Sequence, residues 1–148
     1  MTKERKTFLP IESESICVIY NILHEAGLVS FGINEESRSK LDAIVTNING
    51  SSYGVPHYKS IEEKIVAYMY FIINDHVFTD GNKRTAVLVF SVLCRRNDLD
   101  PVFVNYSLDA VAVFLEALEE DDHQMAIGLI AKMLFKNQAK IVEERDIV

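Results

Sequence analysis

The sequence has no tryptophan, and only two cysteines, three prolines and six glycines in 148 residues. So few chain breakers leave little material for the many tight turns of a β-sandwich or barrel, and they favour helices. Cys17 and Cys94 stand in the apolar runs Ile16-Cys17-Val18-Ile19 and Val92-Leu93-Cys94, and they make no metal-ligand spacing. They read as two reduced core thiols, and a disulfide framework is excluded. No apolar stretch reaches the ~18 residues of a membrane span. The charged start Met1-Thr2-Lys3-Glu4-Arg5-Lys6 is not followed by the apolar region of a secretion signal. The expectation is a cytoplasmic protein with no membrane partner. Net charge is −7. A general nucleic-acid binder needs a basic face, so no nucleic-acid partner is expected.

What is present is the material of one compact domain. Apolar residues make up 49% and charged residues 25% of the chain, as in ordinary globular proteins. A chain of this length buries a real core without covalent staples. There is no internal repeat or low-complexity tract. Residues 1–12 read as an N-terminal arm, 13–138 as a helical domain and 139–148 as a charged tail.

Within the domain, apolar spacing in Ile16, Ile19, Tyr20 and Leu23 predicts a helix over 13–26 that stops at Gly27. Asn34 is placed to cap a second helix reaching about Asn49, with Glu35 and Glu36 at its positive end. Ser60-Ile61-Glu62-Glu63 has the form of a capping box. The helix it opens, through Asn74, and the helix after residue 81 are apolar on most sides, which predicts two buried central helices. Ser107 caps a further helix to about Glu120, and another begins at Asp121 or Asp122 and runs to about Asn137. The fold class is all-α, with about six to seven helices. A small flap loop or hairpin is expected near residues 51–58. This stretch, Ser51-Ser52-Tyr53-Gly54-Val55-Pro56-His57-Tyr58, carries two tyrosines and a histidine. Packing on the core and a functional role are both open readings for them.

The run His76-Val77-Phe78-Thr79-Asp80-Gly81-Asn82-Lys83-Arg84-Thr85-Ala86 joins the two central helices. It holds the parts of a phosphate-handling site. The first amides of a helix lack internal partners, and the helix dipole is positive there. Gly81 lets the chain turn and lets an anion approach, so the start of this helix is an anion nest. Lys83 and Arg84 can add cationic contacts, and Arg grips phosphate oxygens in a two-pronged way. Asp80 would repel a phosphate unless a cation lay between them, and Mg²⁺ held by one carboxylate and phosphate oxygens is the usual arrangement. His76 is suited to take a proton from an attacking hydroxyl. Phe78, apolar between polar neighbours, reads as the anchor of the loop. The whole reads as transfer of a phosphate-containing group from a Mg²⁺-nucleotide to a hydroxyl. Taken singly, each residue has a plain structural reading too: a satisfied histidine, a cap, solvated cations. A hydrolytic metal site of His57, His76 and Asp80 is the weaker alternative, since no ligand spacing supports it.

The combination resembles the signature loop of the Fic/Doc superfamily. The Fic pattern is His-Pro-Phe-x-(Asp/Glu)-Gly-Asn-Gly-Arg-x-x-Arg, and the Doc pattern is closer to His-x-Phe-x-Asp-(Ala/Gly)-Asn-Lys-Arg-Thr-Ala. The looser resemblance extends from about residue 20 to 135. It implies a helical Fic/Doc domain. It implies that His76 is the general base, that Asp80 holds Mg²⁺, and that Gly81, Asn82, Lys83 and Arg84 cradle the phosphates of ATP. It also implies that Tyr53, Gly54 and His57 belong to a flap that docks the target polypeptide as an added strand. Val77 replaces the Fic proline, Lys83 its second glycine, and Val87 its last arginine. These departures point to the Doc branch. Its members transfer the terminal phosphoryl of ATP to a Ser or Thr hydroxyl of a target protein, with a translation factor as one candidate target. The alternatives are AMP or other nucleotidyl transfer of the Fic type, and a non-catalytic nucleotide- or partner-binding module. No (Ser/Thr)-x-x-x-Glu-(Gly/Asn) inhibitory motif of the Fic kind occurs in the sequence. Either inhibition comes from a separate antitoxin acting in trans, as the resemblance to the Doc branch of toxin-antitoxin pairs implies, or there is none.

Overall fold

Five helices and one short hairpin make up residues 7–101 and 123–135, the part of the chain that this computed structural model describes. In chain order they are α1 (Ser13–Glu25), α2 (Glu35–Ile48), β1 (Ser51–Ser52), β2 (Val55–Pro56), α3 (Ile61–Asn74), α4 (Asn82–Arg96) and α5 (His123–Leu134). The fold is all-α. The helix expected from Ser107, the acidic junction at 119–122 and the tail at 139–148 lie outside the described residues. No helix among the described residues is long and apolar enough to cross a membrane.

Local chemistry sets the helix ends. The Asn34 side chain accepts from the Ser37 N–H at 2.8 Å and starts α2. Ser60 Oγ accepts from the Glu63 N–H at 3.1 Å and donates to Glu63 Oε1 at 3.0 Å, which starts α3. α1 ends in a Schellman turn: Gly27 sits at φ +76°, the Leu28 N–H bonds to the Leu23 carbonyl, and the Gly27 N–H bonds to that of His24. α4 ends the same way with Asp98 at φ +54° in the place usually held by glycine.

α3 is the axis of the fold. Ile65, Val66, Met69 and Ile72 are wholly inaccessible, and α4, α5 and α2 all pack against it. α1 lies across α2 and α4. α4 differs from the expectation of a helix buried all round. Ala86, Val89, Phe90 and Leu93 face the core, while Leu88, Ser91, Val92 and Arg95 are exposed.

The segment before α1, assigned to an arm by its position, is pinned down over residues 8–11. Phe8 and Ile11 are buried. Asn97, itself buried at the end of α4, accepts from the Leu9 N–H at 2.9 Å and donates to the Leu9 carbonyl at 3.0 Å. Arg96 donates to the Pro10 carbonyl at 2.6 Å. Cys17 and Cys94 are free and buried.

Candidate active site

The loop between α3 and α4 begins with a strained residue. His76 follows the last residues of α3 with φ +47°, the left-handed region that disfavours L side chains by about 1–2 kcal/mol. Its N–H bonds back to the Ile73 carbonyl at 3.3 Å, so a histidine occupies the position of a terminating glycine. α2 holds this turn in place. Lys40 Nζ donates to the carbonyls of Asp75 at 3.2 Å and His76 at 3.3 Å, and the buried Ser37 hydroxyl donates to the Val77 carbonyl at 2.8 Å. Ser37 and Lys40 lie three residues apart on one face of α2. The ring of His76 is exposed and makes no hydrogen bond among the described residues. Backbone strain held by neighbours, with a reactive side chain left free, is the usual form of a functional position.

After this turn the chain dives into the core. Phe78 is buried and stacks on Tyr20 of α1, ring centroids 4.1 Å apart and planes 13° from parallel. The Asn82 carboxamide then closes the loop on itself, accepting from the Phe78 N–H at 2.9 Å and donating to the Phe78 carbonyl at 2.8 Å. Both ends of that side chain are committed to the loop backbone. The resemblance assigns Asn82 to phosphate, and the part of it left for an anion is its main-chain amide.

α4 starts without a side-chain cap, from Gly81 at φ +81°. Its first internal bond runs from the Thr85 N–H to the Gly81 carbonyl at 3.0 Å, so the amides before Thr85 have no helical acceptor. Lys83 and Arg84 project from this first turn and are exposed. Asp80 is exposed beside it, and its Oδ2 accepts from the Ser30 N–H at 3.1 Å. Its other oxygen takes no hydrogen bond among the described residues. One carboxylate oxygen beside a cluster of helix amides fits a Mg²⁺ ion shared with phosphate oxygens. The described residues hold no group of three or more His, Cys, Asp and Glu that could bind a metal without such a ligand. His57, His76 and Asp80 therefore make no metal centre.

Sequence reasoning missed the strap that covers this corner. Residues 28–31 run from the end of α1 across the start of α4. Val29 is buried, and a Cβ added to Gly81 would come within 2.2 Å of its Cγ1. The Leu28 carbonyl accepts from Arg84, and the Phe31 carbonyl from the Tyr20 hydroxyl. Burial, with a lesser contribution from the Asp80 carboxylate, raises the Tyr20 hydroxyl above its ordinary pKa. Nothing in the local sequence of 28–31 marks it as part of a site. Its signal is the requirement for glycine at 81, fifty residues on.

The flap is a hairpin. β1 and β2 pair antiparallel, Ser51 opposite Pro56 and Ser52 opposite Val55. Tyr53 at φ +53° and Gly54 at φ +77° make the tight turn between them. Tyr53 is fully exposed at the tip. His57 sits at the root, not on the exposed edge. One ring nitrogen lies 2.7 Å from the Asn47 carbonyl and the other 2.8 Å from Ser52 Oγ, so it ties the hairpin to the end of α2.

This constellation has known relatives. A family model described as the Fic/DOC family matches residues 10–94, more than half of the chain and all of the loop just described. The chain belongs to the Fic/Doc family, and its likeness is to the Doc branch. Among curated proteins, "Toxin Doc" of Mycolicibacterium smegmatis (strain ATCC 700084 / mc(2)155) is 35% identical over 63 residues, which cover 41% of this chain and 48% of that protein. The chain thus matches about half the length of this relative. No solved structure matches it.

Proposed function

We propose that this chain is a Doc-like transferase that moves the terminal phosphoryl group of Mg²⁺-ATP to a Ser or Thr hydroxyl of a target protein, and that it is the toxin of a toxin-antitoxin pair. One observation carries the reading. A free imidazole on a strained, externally held turn stands beside a clamped helix start that carries a carboxylate and two cations. Similarity to a protein named "Toxin Doc" supports the biological role.

In this reading the ATP phosphates lie against the first amides of α4, with Lys83 and Arg84 outside them. Asp80 would hold Mg²⁺, which offsets phosphate charge when bound. His76 takes the proton of the target hydroxyl as its oxygen bonds to the γ-phosphorus. The bond from that phosphorus to the β–γ bridging oxygen breaks, and ADP leaves with the electron pair. Gly81, Asn82 and Phe78 serve by holding the nest in shape. Tyr53 and Gly54 offer the hairpin to the target chain. An antitoxin in trans would silence the site by covering the nest or the hairpin.

The test is label transfer to proteins of a cell lysate from ATP labelled at the α or the γ phosphate, with His76→Ala as control. Label from γ alone, lost in His76→Ala, is the expected result. Label from α would move the protein to nucleotidyl transfer and overturn the weight placed on Lys83 and Val87. No label from either, with nucleotide binding intact, would favour a binding module.

A further inference from the structure

A base that takes a proton in transfer has to point at it, and a third group bonded to the base ordinarily sets that direction. The ring of His76 has no such partner among the described residues. Its orientation therefore falls to the backbone. The peptide units on either side of a Cα are rigid planes, and fixing both planes fixes φ and ψ of the residue between them.

α2 takes hold of both planes. The carbonyl of Asp75 belongs to the peptide unit before His76, and the carbonyl of His76 to the unit after it. Lys40 Nζ donates to the first at 3.2 Å and to the second at 3.3 Å. One ammonium thus locks both rotations of His76. Ser37, on the same face of α2, donates to the next carbonyl, that of Val77, at 2.8 Å. Three successive carbonyls are held from one helix.

The ammonium is itself fixed. Glu36 Oε1, four residues earlier on α2, lies 3.5 Å from Nζ. An ammonium has three protons, and these three acceptors account for them. In this arrangement Lys40 has no proton to offer a phosphate or a target side chain.

A simpler role would be to cap α3, since a cation near a helix C-terminus satisfies its unpaired carbonyls. α3 ends at Asn74 with Asp75 as its cap. The carbonyl of His76 lies past that cap, so capping does not account for the second bond. What the pair of bonds opposes is strain. His76 stands at φ +47°, where an L side chain is disfavoured, and hydrogen bonds from a charged donor are stronger than neutral ones.

Resting on the transferase reading above, we propose that Lys40 is a positioning residue for the base, with Glu36 and Ser37 as its supports. It acts through the backbone of His76 and holds the imidazole in the direction from which it meets the acceptor hydroxyl. It touches neither nucleotide nor target. Without it the turn relaxes toward negative φ, and the ring leaves the line of transfer.

The test compares Lys40→Met and Lys40→Arg with wild type, each as the full chain. Methionine keeps the stem and removes every donor, whereas arginine can donate to two carbonyls at once. Denaturant melts show that each variant is folded. The first readout is NMR without nucleotide. A positive φ brings a residue's own N–H and Hα close together and gives a strong cross-peak between them. That peak is expected for His76 in wild type and Lys40→Arg, and weakened in Lys40→Met. The second readout is the rate of γ-phosphoryl transfer from Mg²⁺-ATP to lysate proteins. Lys40→Met should lower kcat by roughly 10–10²-fold, the cost of misplacing a reacting group by about 1 Å. KM for Mg²⁺-ATP should stay within about twofold, since no binding contact is removed. Lys40→Arg should recover most of the rate. A cross-peak and a kcat that do not fall together in Lys40→Met would overturn the proposal. A raised KM at unchanged kcat would also overturn it, and would make Lys40 a substrate contact. A weakened cross-peak in Lys40→Met, with no label transferred by wild type, would leave the hold on His76 standing and remove the transferase reading.

Discussion

The loop at 75–84, which carries His76, and the hairpin at 51–56 are built in opposite ways. The loop is gripped from every side: by Ser37 and Lys40 of α2, by the Tyr20 ring of α1, by the strap at 28–31, and by its own Asn82. The hairpin is fastened at its root by His57 and ends in a fully exposed tyrosine. On the proposed reading, the difference matches two tasks. A small donor that is always the same rewards fixed geometry, since misplacement by an ångström costs rate. A protein target arrives as a chain with its own shape, and an edge with few internal contacts can adapt to it.

The largest expected effect is at His76 itself. His76→Ala should lower transfer by roughly 10²–10⁴-fold, the usual worth of a positioned base. His76→Gly should be as inactive and yet as stable or up to about 1 kcal/mol more stable than wild type, because glycine accepts the left-handed turn. Activity assay and denaturant melts together check this. A stability loss in His76→Gly would mean that the ring is structural.

Next come the grips on the loop. Phe78→Ala should cost about 3–5 kcal/mol in denaturant unfolding, as for other buried aromatic residues. Gly81→Ala tests the strap. The Doc-like pattern admits alanine at this position, but here the added methyl would meet Val29 Cγ1 at 2.2 Å on a backbone at φ +81°. A loss of about 1–3 kcal/mol is expected. Adding Val29→Ala should recover part of it in a double-mutant cycle, since the steric part of the cost is shared by the two residues. Additive losses would show that the strap does not bear on Gly81.

The hairpin should behave otherwise. Tyr53→Ala should change stability by no more than about 0.5 kcal/mol, because the side chain touches nothing in the fold. It should still reduce labelling of protein targets. Equal labelling would separate the hairpin from target docking. The smallest effect concerns the thiols. Burial pushes Cys94 up to about 12 and raises Cys17 as well. The thiolate is the reactive form and is scarce well below such a pKa, so neither cysteine should alkylate at pH 8 until denaturant is added.

The helices were legible because their signals are local. Asn34, Ser60 and Gly27 each act within a turn of where they stand, and the five helices follow from them and from apolar spacing. The chemistry-bearing run was legible as a set of residue types. Its support was not. Lys40 and Ser37 reach carbonyls 35 to 40 residues away, and Asn97 holds the backbone of Leu9 from 88 residues away. No local pattern announces such pairs. The same limit hid the restraint on residues 8–11, whose buried Phe8 and Ile11 fall outside any helical repeat. It also hid the conformation of His76. A left-handed turn is read from glycine, and here a histidine is held in it by Lys40.

The central claim is that nucleotide phosphate binds at the start of α4, beside His76. It is met most directly by titrating Mg²⁺-ATP into isotope-labelled His76→Ala protein and following backbone amide resonances. The account expects the largest shifts at Gly81, Asn82 and Arg84 and at Ser30 of the strap, with Asn47 and Asn74 little changed. Shifts centred on Asn47, Asn74 and Phe71 instead would put the nucleotide between α2 and the end of α3 and contradict the account.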